Sequence, residues 1–72
     1  MKLSIPVIVE APDDATHYIG SVDDMGFYKC RQIGVAGDHW FSYSEKEKQW
    51  KMVSHYQPHW ILPIPEEWKA ND

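Results

Sequence analysis

Four histidines and one cysteine are the side chains of this 72-residue chain with the most capacity for chemistry. His55 and His59 stand four apart, which on a helix would set two imidazoles on one face at metal-ligand spacing. Pro58 lies between them and disfavours that helix, so the shared face is lost. No Cys-x-x-Cys accompanies them, and no metal site is expected. Cys30 sits between Lys29 and Arg31, cations that would favour a thiolate. No local motif supplies a base, and a lone free cysteine usually behaves as a small buried hydrophobe. The doublets Asp13-Asp14 and Asp23-Asp24 fall in turn-like stretches, where carboxylates are normally solvated. A chain this short also has little room for an enclosed pocket. No catalytic residue and no cofactor is assigned, and the expectation is a protein that is not an enzyme.

Charge is distributed more informatively. Residues 10–24 hold Glu10, Asp13, Asp14, Asp23 and Asp24 without a Lys or Arg, a local charge of −5. Residues 27–53 carry Lys29, Arg31, Lys46, Lys48 and Lys51 against Asp38, Glu45 and Glu47, a local +2. The acidic stretch either keeps the protein soluble or steers it onto a basic protein surface. Lys46, Lys48 and Lys51 are too few for independent nucleic-acid binding. They would approach a phosphate backbone only if a partner held them there. The overall charge of −4 argues against a nucleic-acid coat or a membrane-surface peptide. No apolar run reaches the length of a membrane span, and Pro6 breaks the short apolar stretch that would otherwise suggest a signal peptide. A single cysteine cannot form an internal disulfide, which points to the cytosol.

These side chains must be held by few elements. Hydrophobic residues are 43% and charged residues 25%, a globular balance in a single domain spanning 1–72. A chain of this length buries only about 60% of its unfolded surface, so its large aromatics should carry the core. Residues 3–9 are β-branched and read as one strand, with Pro6 placing it at an edge or near a bulge. Its unpaired backbone would suit strand addition by a partner. The expected partner surface is therefore Lys2, Ser4, Ile5, Val7 and Glu10 with Asp13, Asp14, Asp23 and Asp24. Pro12 to Thr16 would make one helical turn. Strands follow at 17–22, 27–33, 39–44 and 49–54. The turn at 23–26 should be exposed, with Gly26 supplying any left-handed residue. Gly34, Gly37 and Asp38 mark the next turn, and Glu45 to Lys48 the last. Short runs at even spacing predict an antiparallel meander of three to five strands, a small β or α+β fold. Trp40 and Trp50 should be buried, with Trp50 and Met52 on one face. The proline-rich tail 58–65 should cross the sheet in extended form, packing Trp60, Ile61, Leu62 and Ile64. Pro65 to Trp68 would open a short final helix.

The run Ala11-Pro12-Asp13-Asp14-Ala15-Thr16-His17-Tyr18 resembles an Ala-Pro-x-x-Ala-Thr-His-Tyr pattern of small tailed-phage proteins. An aromatic pair, Phe27-Tyr28-Lys29, then tryptophan-bearing strands with Trp40 and Trp50, and the ending Leu62-Pro63-Ile64-Pro65 extend the likeness over residues 9–65. Among such proteins the chain is most similar to short phage-encoded regulators that bind host RNA polymerase. That resemblance implies a protein of the host cytoplasm that inhibits initiation at host promoters and lets polymerase read through terminators. Other functions consistent with the residues are inhibition of a different host complex, such as a defence nuclease, and an accessory structural role.

Overall fold

Runs rich in Val, Ile, Tyr, Trp and Phe, separated by turn residues, favour pleated strands over helices. The computed structural model describes residues 1–5, 7–21 and 23–69, without the side chain of Ala36. Seven strands appear in chain order: β1 (Lys2–Ile5), β2 (Val7–Glu10), β3 (His17–Ser21), β4 (Asp24–Gln32), β5 (Asp38–Ser44), β6 (Gln49–Ser54) and β7 (Leu62–Pro63). Gly34–Ala36 and Glu66–Lys69 form single 3-10 turns. β3 to β6 make the expected antiparallel meander. Its sheet has five strands in the order β6-β5-β4-β3-β7, while β1 and β2 pair only with each other.

The first departure lies at the N-terminus. Residues 3–9 are not one strand but an antiparallel hairpin in which Leu3 opposes Val9 and Ile5 opposes Val7. Pro6 itself, expected at an edge or bulge, lies outside the described residues. Directly opposed residues share a face. Leu3, Ile5 and Val9 therefore turn inward together, and Lys2, Ser4, Ile8 and Glu10 turn outward. Leu3 is 0% exposed and joins Ala11, Ala15, Phe27 and Ile64 in the core. Tyr18, Met25, Tyr43, Trp50 and Trp68 pack around them.

The β3–β4 connection is also tighter than expected. Asp24, Met25 and Gly26 belong to β4, paired with Ser21, Gly20 and Ile19, so only Asp23 and Asp24 of the expected turn are exposed. The left-handed residue is Gly20 (φ 93°), not Gly26. A Cβ on Gly20 would collide with the Asp24 carbonyl. Pro12 to Ala15 closes as one turn through a hydrogen bond from the Ala15 amide to the Pro12 carbonyl (3.1 Å), with no helix.

On the other face of the sheet Trp40 is buried, its ring edge-on to His17 at 5.0 Å. Trp50 is half-buried at the margin of the core, 5.2 Å from Tyr43. Trp50 and Met52 do share a face, being opposed to Tyr43 and Phe41, but Met52 is exposed because β6 is an outer strand. The tail runs extended and supplies β7, an outer strand paired with β3, as its prolines require. Ile61 and Ile64 are buried, whereas Trp60 and Leu62 are exposed, so only half of the expected tail residues pack. Among the described residues no helix is long and apolar enough to cross a membrane.

Candidate functional site

The hairpin and the acidic stretch were the expected partner surface. The Met1 amine donates to the Asp13 carboxylate (2.8 Å), the Ala11 carbonyl (2.9 Å) and Glu10 (3.4 Å). The Ala11 amide returns a hydrogen bond to the Met1 carbonyl at 2.8 Å. The amine hydrogen bond holds the Asp13 carboxyl below its ordinary value, and Asp13 raises the amine in return. Asp14 lies 3.7 Å from the Lys29 ammonium, which also sits over the Trp50 ring at 4.8 Å. Three of the five acids are therefore engaged within the chain. Asp23 and Asp24 lie at the opposite end of β3, exposed and without an ion pair among the described residues. The acids form two separated groups.

The hairpin itself presents a clear surface. Lys2, Ser4 and Glu10 share its outward face with Ile8, which is 71% exposed. Val7 is exposed at the tip, and Ile5 packs inward against the core. Ile8 did not stand out in the sequence, because a run that is apolar at nearly every position does not show which alternate set faces outward. β1 is flanked by the Glu66–Lys69 turn, which leaves β2 as the open strand.

The expected phosphate-proximal lysines are largely neutralised locally. Lys48 lies 3.5 Å from Glu45, and Lys51 pairs with Glu47, which pulls that carboxyl below its usual range. Lys46 is exposed without an ion pair among the described residues. The Cys30 thiol is pushed up by burial and then by the Asp38 carboxylate, so it stays protonated at neutral pH. His55 stacks edge-on with His39 at 4.6 Å, whereas His59 lines a groove. No three His, Cys, Asp or Glu side chains gather as metal ligands among the described residues.

That groove escaped the sequence reading. It has a volume of about 440 Å³ and is lined by Tyr28, Val53, Tyr56, Pro58, His59 and Trp60 among others. Its signal was indirect: Pro58 between Tyr56 and Trp60 keeps the segment from continuing as a central strand, and both rings are left exposed. Comparison with protein-family models, curated proteins and solved structures finds no match for the chain.

Proposed function

We propose that the chain is a non-enzymatic binding protein that docks on a larger host protein through the open edge of β2. The observation that carries this reading is Ile8, 71% exposed on a strand whose outer backbone is unpaired. Exposed β-branched edges invite strand addition, and natural proteins usually blunt them. Backbone hydrogen bonds along β2 would give affinity, and Ile8 would give an apolar anchor. Asp23 and Asp24, exposed and without an ion pair among the described residues, would orient approach toward a basic surface. Host RNA polymerase is the partner that the resemblance to phage-encoded regulators suggests. Inhibition of initiation, with read-through of terminators, is the corresponding activity.

The test uses the intact chain, because removing the first residues would remove Leu3 from the core. Ile8→Asp places a charge on an outward position and leaves the core untouched. The folded variant should lose capture of polymerase subunits and lose inhibition of promoter-directed transcription in vitro. Retention of both at full strength would refute the surface. If the unaltered chain neither binds polymerase nor changes transcription, the polymerase assignment fails. Recovery of a defence complex would then identify the other class of host target.

A further inference from the structure

Three basic side chains stand in one row across the sheet. Arg31 on β4 is directly opposed to His39 on β5, and the His39 ring lies 4.6 Å from that of His55, just beyond β6. His39 is 8% exposed. Its Nδ1–H donates to the Gly37 carbonyl at 3.2 Å. That bond fixes the ring and leaves Nε2 without a protein partner among the described residues. No buried side-chain nitrogen or oxygen is left unsatisfied, so Nε2 reaches solvent. Arg31 and His55 are exposed.

The groups facing this row are themselves basic. Lys29 follows on the same face of β4 and is occupied by Asp14. The one neighbouring acid in sequence, Asp38, points to the opposite face, where it acts on Cys30. Arg31 has no ion-pair partner among the described residues. In a chain of net charge −4, Arg31 and His39 are opposed in register, His39 touches His55, and none of the three forms an ion pair among the described residues.

We propose that Arg31, His39 and His55 form a binding site for one phosphate group of a small phosphate monoester. The guanidinium offers planar paired donors to the oxyanion, and the His39 Nε2, its ring held by the Gly37 bond, accepts from the hydroxyl of a singly protonated phosphate. The site is three side chains wide, too small for a nucleic-acid backbone, which is held by an extended cationic surface.

The experiment is titration of the intact chain with inorganic phosphate and with phenyl phosphate at constant ionic strength. Arginine and histidine side-chain resonances would be followed by NMR. Saturable shifts at Arg31 and His55 are expected, about tenfold weaker in Arg31→Gln or His55→Gln. Both substitutions are exposed and leave the core intact. Shifts that rise linearly, that chloride reproduces at equal ionic strength, or that persist in Arg31→Gln would overturn the site. Tighter binding of a single-stranded RNA than of phenyl phosphate, lost in Arg31→Gln, would overturn the assignment to a small monoester.

Discussion

Leu3→Ala gives the sharpest test of how the hairpin is attached. The two sheets share no ladder, so β1 and β2 are held to the five-stranded sheet by side chains. Leu3 is the only fully buried large side chain among the described residues. Truncating a buried leucine costs about 2.7–5 kcal/mol, the spread reflecting how far the cavity collapses. Ala11 and Ala15 beside Leu3 are too small to fill the space, which puts the cost toward the upper end of that range. A domain of this length has a total stability of about 4–11 kcal/mol. The substitution should therefore remove a quarter or more of it and lower the melting temperature by at least about 10 °C. Urea unfolding followed by tryptophan fluorescence measures the loss. Native-state hydrogen exchange reads the locus: the Ala11 amide, bonded to the Met1 carbonyl, should lose protection before amides of β4 and β5. Ile8→Ala, one face over, should change stability by less than about 0.5 kcal/mol. If Leu3→Ala cost under about 1 kcal/mol, or if the two substitutions cost the same, the inward and outward assignment of the hairpin would be refuted.

Other outcomes follow from the same geometry. Gly20→Ala should destabilise more than Gly37→Ala in matched thermal melts, because both have positive φ but only the first meets a backbone carbonyl; equal losses would contradict this. Trp40→Ala should cost about 3–5 kcal/mol and clearly more than Trp50→Ala, as urea titration of both would show. Asp13 has a depressed carboxyl, so its contribution is present above the ordinary carboxylate range and fades as pH falls through its folded value. The Met1 amine is raised, so its contribution is complete below about pH 8 and fades as pH rises through its folded value. Asp13→Asn should flatten the stability profile at both ends; an unchanged profile would refute the ion pair. Burial lowers His17, so its neutral form is favoured and stability should fall with acidification below about pH 6.5, an effect that His17→Gln removes.

The meander was legible because its signals are local. Glu45 to Lys48 and Gly34 to Gly37 punctuate runs whose alternation is visible residue by residue, and β5 and β6 fall within a residue of where that alternation puts them. The hairpin was not, because Leu3 to Val9 is apolar at nearly every position, and period-2 alternation cannot show a reversal that preserves it. Gly20 was hidden for a different reason. Its strain comes from the Asp24 carbonyl, a partner four residues on that exists only once β4 begins early. The acids at 10–24 read as one charged segment, but β3 runs through its middle and carries Asp23 and Asp24 away from Asp13 and Asp14. The row of Arg31, His39 and His55 was beyond sequence spacing altogether, since cross-strand register alone brings its members together.

Placing the open edge on the same hairpin that closes the core constrains how a partner can use it. Lifting the hairpin away would expose Leu3, Ile5 and Val9 and would cost several kcal/mol, about what the Leu3 truncation measures. A partner that instead adds a strand to β2 in place reads Ile8 and the outer backbone while the inward side chains stay packed. That second route needs no opening of the core, so it is the lower-energy encounter. A ligand that binds only the docked hairpin also raises the stability of the whole chain by mass action. Alternation along β2 thus divides the labour: Val9 holds the hairpin to the sheet, and its neighbour Ile8 is left free for recognition.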